Sequence, residues 1–224
     1  MTVTWLGQAG LLFKADGKKI MIDPYFSDSV GKIDSKKHRR AEVLPEFLEL
    51  KPDIMLFTHA HLDHYDPETV KHFINEKSKV LVLAPSSVWE KVRGIGGDNN
   101  FVLFNRHTEW TEGKLGFTAV RAEHSDPTPI GIIIEFEGKK LYITGDTLYN
   151  EEIFSDLPND IDALFLPVNG VGNNMNMTDA KRFAKRVNPK VAYPIHVGMF
   201  DNLSPEDWDY ENKRILKLYE EIEL

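Results

Sequence analysis

Short apolar runs broken by turn residues fill the first 25 positions of the chain and predict three strands, Val3–Leu6, Gly10–Lys14 and Lys19–Ile22. Ala15-Asp16-Gly17-Lys18 between the last two is a hairpin signal. A polar stretch then runs from Ser27 to Ala41, is expected to be a long loop, and carries the basic run Lys36-Lys37-His38-Arg39-Arg40. Asp53–Thr58 is an apolar run suited to a strand buried on both faces, and Asp66-Pro67-Glu68 reads as an N-cap, a first-turn proline and an acidic first turn. Lys79–Leu83 predicts another strand, and Ser87 with Glu90 predicts a capping box opening a helix. From Phe101 to Thr144 the pattern is β-rich, with strands expected at Phe101–Phe104, Thr108–Thr111, Leu115–Ala122, Ile130–Phe136 and Lys140–Thr144. Beyond it come a short helix near Tyr149–Phe154, a strand Ala163–Pro167, a helix after Thr178 and a strand Lys190–Pro194. Ser204-Pro205-Glu206-Asp207 is expected to cap a final amphipathic helix ending the chain.

No linker of low complexity and no solenoid-period repeat interrupts this pattern, so residues 1–224 are read as one domain. Hydrophobic content of 42% and charged content of 28% lie in the ordinary globular range. The net charge of −8 argues against a general affinity for nucleic acid or an anionic membrane. The N-terminus lacks a secretory pattern, and no apolar run approaches the roughly 18 residues of a membrane span. A soluble, cytoplasmic protein is expected. With no cysteine present, any metal must be held by nitrogen and oxygen alone.

That restriction gives weight to one ordered set of histidines and aspartates: His59, His61, Asp63 and His64 in the spacing H-x-H-x-D-H, then His124, Asp146 and His196. Imidazole and carboxylate suit borderline divalent metals, and seven such groups suffice for two neighbouring ions. The first four fall between an expected strand and an expected helix; the other three each follow an expected strand. A side chain at a strand end is held rigidly yet open to one rim. Taken singly, each of the three has a bland reading as a polar loop residue, and the joint order is what favours a site.

The order resembles that of the metallo-β-lactamase superfamily, over nearly the whole chain. Within it, Thr4–Gly10, Ile22–Tyr25, Thr58–His64, Thr144–Thr147 and Pro167–Gly170 look like the L-ascorbate-6-phosphate lactonase-like branch of metal-dependent hydrolases. The resemblance implies an α/β fold, a four-layer αββα sandwich with metals at one edge. It also implies a first metal site of His59, His61 and His124, a second of Asp63, His64 and His196, and Asp146 bridging one or two divalent ions, zinc or manganese. Such an ion lowers the pKa of water from about 15.7 toward 7, supplying hydroxide at neutral pH. Asp63 would orient the nucleophile, and Asp23 would accept a hydrogen bond from a ligand imidazole.

The expected activity is hydrolysis of a small, anionic ester or lactone, with Lys37, Arg39, Arg40 and Asn169 as candidate substrate contacts. Asn173-Asn174-Met175-Asn176 reads either as turn chemistry or as pocket lining. The alternatives are a phosphodiesterase or ribonuclease of the same superfamily, or a metal-binding protein without catalysis. A small-molecule substrate is the expected partner, nucleic acid and membrane are not, and self-association is left open.

Overall fold

Alternate side-chain direction along strands buried on both faces is what stacks this chain into layers. The computed structural model describes residues 1–224. Its first sheet contains Thr2–Gly7 (β1), Gly10–Ala15 (β2), Lys18–Ile22 (β3), Ile54–Leu56 (β4), Leu81–Ala84 (β5) and Asn100–Leu103 (β6). Its second contains Glu109–Glu112 (β7), Leu115–Arg121 (β8), Ile130–Phe136 (β9), Lys139–Ile143 (β10), Ala163–Pro167 (β11) and Val191–Ile195 (β12). Glu221–Glu223 (β13) joins the first sheet, giving orders β13-β1-β2-β3-β4-β5-β6 and β12-β11-β10-β9-β8-β7.

Ile54 and Leu56 point inward to a core shared with Ile132, Ile134, Leu141, Ile143 and Phe165 of the other sheet. Their neighbours Met55 and Phe57 point outward, to Val70, Phe73, Val88 and Val92. Those four belong to Pro67–Phe73 (helix α3) and Ser86–Val92 (helix α4). On the far side Ile133, Tyr142 and Leu164 meet Ala180, Phe183 and Ala184 of Met177–Val187 (helix α5). Period-two alternation in strands buried on both faces therefore yields helix, sheet, sheet, helix, the expected αββα sandwich.

Four expectations need correction. The 27–41 stretch contains a short helix, Ser29–Ile33 (α1), and a second short helix, Pro45–Leu48 (α2), follows. The helix expected near Tyr149–Phe154 is a 3-10 turn, Glu151–Ser155. The Ser87 capping box does not form: α4 starts two residues earlier, with Pro85 as N-cap. The amide of Ser86 donates to Asn105 Oδ1 and that of Ser87 to Thr128 Oγ1, so neighbouring loops satisfy the first donors of the helix.

The fourth correction concerns the C-terminus. Only Pro205–Asp207 makes a helical turn, and the remainder is an extended tail. Trp208 buries its ring completely and donates its indole N–H to Met177 O. Ala192 N donates to Asn212 O and Arg214 N to Ala192 O, along the open edge of β12. Farther on, Tyr219 N donates to Trp5 O and β13 pairs with β1. The tail thus covers one edge of each sheet. Edge strands offer rows of unpaired backbone groups, and filling them outweighs the helical preference of a lone surface segment.

Candidate metal centre

Each ordered histidine or aspartate lies at a strand end on one rim. Thr58 and the H-x-H-x-D-H segment connect β4 to α3, whose N-cap Asp66 accepts from the amides of Glu68 and Thr69. His124 follows β8, Asp146 follows β10, and His196 follows β12 directly. These three strands run in the same direction, because β9 is antiparallel to both β8 and β10, whereas β11 and β12 continue parallel.

The side chains converge as two groups. In the first, His59 Nε2 lies 3.1 Å from His61 Nδ1, which lies 2.9 Å from His124 Nε2. In the second, His64 Nε2 and His196 Nε2 are 3.2 Å apart, and Asp63 Oδ2 lies 3.2 Å from His196 Nε2. Within each group the donor atoms all fall within 4.8 Å of one another. Asp146 stands between the groups: Oδ1 is 3.2 Å from His64 Nε2 and 3.3 Å from His196 Nε2, and Oδ2 is 3.8 Å from His124 Nε2.

These residues fit a divalent ion. Three imidazole lone pairs directed at one point repel unless a proton or a cation lies between them, and ligand nitrogens around a tetrahedral zinc stand about 3.3 Å apart. Asp146 Oδ1 is buried with no hydrogen-bond partner, an orphan that a cation would satisfy. The nitrogens facing away from the centre tell the same story. His64 Nδ1 donates to Asp23 Oδ2 at 2.8 Å, as expected of Asp23, and His124 Nδ1 donates to the backbone oxygen of Asn173 at 3.2 Å. His59 Nδ1 lies 3.0 Å from Thr58 Oγ1, whose hydroxyl donates to Asp23 Oδ2 at 2.5 Å. An acceptor on the outer nitrogen places the hydrogen there and leaves the inner nitrogen free for a metal.

Charge around the centre is strongly coupled. Burial alone would raise the Asp146 carboxyl, but the charges of His196 and His64 outweigh it and hold the group well below the usual carboxylate range. Asp63 is likewise opposed by burial and held low by His64 and His196. Burial works against charge on His196 too, yet Asp146 and Asp63 push it up to about 9. His59 goes the other way, since burial and the neighbouring His64 hold it neutral far below the ordinary imidazole value. The cavity thus keeps the carboxylates ionised and His59 and His124 neutral, the states that ligation requires, while His64 and His196, held charged by the carboxylates, would each release a proton to an incoming ion.

A cleft of about 280 Å³ opens onto this rim, with His61, Asp63, Asp146 and His196 on its floor. Lys37 and Asn169 line it. Arg39 and Arg40 do not. The Arg39 guanidinium is bound to the backbone oxygens of Tyr25, Leu6 and Ala41, and Arg40 reaches Asp201 O and Asn202 Oδ1. Both guanidiniums tie loops together, so the expectation of Arg40 as a substrate contact is corrected. The 173–176 loop divides its work. Asn174 Nδ2 donates to Asp146 Oδ2 at 2.8 Å, Asn176 caps α5, and Asn173 lines the cleft.

Sequence reasoning gave no role to Gln8 or Asp126. Gln8 Nε2 donates to Asp63 Oδ2 at 2.8 Å, and Gln8 O accepts from His196 N at 2.9 Å. Asp126 Oδ2 accepts from Ala60 N at 3.0 Å and steadies the histidine loop. Gln8 lies inside the Thr4–Gly10 segment, so its position was visible although its partner was not.

A family model for the beta-lactamase superfamily domain matches residues 2–196. The chain belongs to that superfamily. Over its full length it is 30% identical to the whole of a UPF0173 metal-dependent hydrolase from Geobacillus, and 28% identical to the whole of a UPF0173 protein from Pyrococcus furiosus. A metallo hydrolase from the archaeon Ignicoccus hospitalis shares the fold at a TM-score of 0.77 and 22% identity, over 99% of this chain and 97% of that one. This beta-lactamase superfamily member has no helix long and apolar enough to cross a membrane.

Proposed function

We propose that this metal-dependent hydrolase cleaves an ester or lactone bond in a small molecule held over the His59–His196 rim. The observation that carries the reading is the convergence of two three-donor groups on Asp146 at the floor of one open cleft. His59, His61 and His124 would hold one ion, and Asp63, His64 and His196 a second, with Asp146 shared. Zinc or manganese suits such a nitrogen and oxygen set. When bound, the ion lowers the pKa of water toward 7 and polarises the bond to be cleaved.

The chain's own groups do the rest. Asp63 commits Oδ2 to Gln8 and keeps Oδ1 to accept a proton from the attacking water. Asn174 and Gln8 fix the two carboxylates from behind, so neither must reorganise as charge develops. At the mouth Lys37 offers one cation, 3.6 Å from Asp34, and Asp201 lines the same opening. Such a mouth suits a substrate with at most one negative charge. The lactone part of the reading draws on the sequence likeness to the ascorbate-phosphate lactonase branch.

The test is turnover by stripped protein reloaded with zinc or manganese, on a panel of lactones, carboxylic esters and phosphodiesters, with His61→Ala alongside. Hydrolysis of lactones or esters that is lost in H61A is expected. Metal uptake with no turnover, or turnover of phosphodiesters alone, would sink the assignment.

A further inference from the structure

Four of the five clustered imidazoles have a neighbour at the outer nitrogen, and three of those neighbours are oxygens: Thr58 Oγ1, Asp23 Oδ2 and Asn173 O. His196 is different. Its Nδ1 faces the carboxamide of Asn169, with Nδ2 at 3.1 Å. Gln8 Nε2 lies 3.3 Å from Nδ1 and 3.1 Å from Nε2, nearly equidistant and therefore over the ring, and it already donates to Asp63. Gln8 offers His196 no acceptor.

The amide nitrogen of Asn169 facing Nδ1 is consistent with a hydrogen on Nε2, the atom directed at Asp63, Asp146 and His64. A ring protonated there cannot ligate through that nitrogen. Ligation needs the hydrogen on Nδ1, and a hydrogen on Nδ1 needs an oxygen opposite it. Rotating the Asn169 carboxamide by half a turn exchanges Nδ2 for Oδ1 within the same envelope. The bond given up is a long one, from Val171 N to Asn169 Oδ1 at 3.4 Å.

The main chain around Asn169 does not have to follow. Its backbone is bridged to Asn176, and Gly170 turns at φ 68° so close to Asn176 that an added Cβ would lie 2.9 Å from that residue's own Cβ. A fixed backbone under a half-buried amide, held on its oxygen side only by that long bond, is what a two-position side chain requires.

We propose that Asn169 is a positioning residue rather than a substrate contact: its carboxamide turns Oδ1 to the Nδ1 hydrogen of His196 and so frees Nε2 for the metal. Asp23 does this for His64 with a carboxylate. Asn169 does it with a group that can present either a donor or an acceptor, so the His196 ligand is set by an amide rotation.

The test compares wild type with Asn169→Leu, which has no acceptor, and Asn169→Asp, which presents oxygen in either orientation. Zinc affinity is read by competition with a chromophoric chelator, and the His196 tautomer by imidazole nitrogen NMR. N169L is expected to bind zinc about 10–100-fold more weakly, the usual cost of losing such a partner, and N169D to restore it. Zinc-loaded wild type should carry the His196 hydrogen on Nδ1. Unchanged zinc affinity in N169L, failure of N169D to rescue, or a change confined to substrate KM would overturn the proposal. None of these readouts depends on which bond the enzyme cleaves.

Discussion

Asp23→Asn is the sharpest probe of how the site is held, because it changes one charge and almost no volume. Asp23 is 1% exposed and accepts three hydrogen bonds: from Thr58 N at 2.8 Å on Oδ1, and from Thr58 Oγ1 and His64 Nδ1 on Oδ2. Its backbone has φ 44°, a left-handed conformation that asparagine tolerates as well as aspartate, so the substitution adds no strain there. The new amide then has two choices. With nitrogen in the Oδ2 position it points a donor at His64 Nδ1, the ring hydrogen moves to Nε2, and that nitrogen is lost to the metal. With nitrogen in the Oδ1 position it opposes the Thr58 amide, leaving a buried donor unpaired at a cost of about 1–3 kcal/mol. In the first case zinc affinity should fall about 10–100-fold, or about 1.4–2.7 kcal/mol; in the second the His64 acceptor survives and the loss falls on the stability of the metal-free fold. Chelator competition at fixed pH, with a thermal melt of the same metal-free sample, separates weaker binding from unfolding. A D23N protein with zinc affinity within about twofold of wild type and a metal-free stability within about 0.5 kcal/mol of it would refute the reasoning that acceptors on the outer nitrogens set the ligand tautomers.

Further outcomes follow from other parts of the structure. Zinc at 100 times its Kd should stabilise the protein by about 2.7 kcal/mol, raising Tm by roughly 5–10 °C in a chain of this length, and a chelator should reverse the shift. Asp156, which accepts from Arg106 at 2.6 and 2.7 Å and from Arg121 N at 2.9 Å, has a side chain only 5% exposed; Asp156→Asn should cost about 1–3 kcal/mol by denaturant melt at pH 7. The Arg106 bonds hold the Asp156 carboxyl below the ordinary carboxylate range, so this stabilisation is present above about pH 4 and fades as pH falls further; the gap between variant and wild type should narrow with it. Gly145→Ala should lower stability by about 2–5 kcal/mol, since at φ 61° its Cβ would stand 2.8 Å from Thr58 Cβ and 2.9 Å from Ile130 O; a melt within 0.5 kcal/mol of wild type would contradict the packing described.

The clustered histidines and aspartates were legible because each is anchored to a pattern that is local in sequence. Ile54–Leu56 is buried along its whole length and Val191–Ile195 beyond its first residue, so their apolar runs read as strands, and the residues beyond them read as rim. Asp23 was legible for a similar reason, since it ends the run Lys18–Ile22. What could not be read is long-range. The segment beyond Asp207 reads as helix until the unpaired edges of β12 and β1 are known to pass beside it. The charge of Arg40 is plain in the sequence, but the direction of its guanidinium depends on the Asp201–Asn202 loop, 161 residues away. The acceptor for His124 is the backbone oxygen of Asn173, and a carbonyl oxygen has no residue signature at all.

Backbone conformation was the most hidden feature, and it bears on why the site needs its ion. Gln8, Asp23 and His196 have φ values of 51°, 44° and 55°, all left-handed, and all three touch the clustered side chains. Glycine at Gly145 announces such a turn; glutamine, aspartate and histidine do not. A left-handed residue with a side chain costs of order 1 kcal/mol, less for aspartate and histidine, so the three store on the order of 1–3 kcal/mol around one rim. To this is added the crowding of imidazole nitrogens at about 3 Å in the two groups. A divalent ion at 100 times its Kd returns about 2.7 kcal/mol, the same order as the stored strain. An ion held there would offset the local instability that brings seven side chains from four strand ends to one point, so the site should loosen before the sandwich does when the ion is withdrawn.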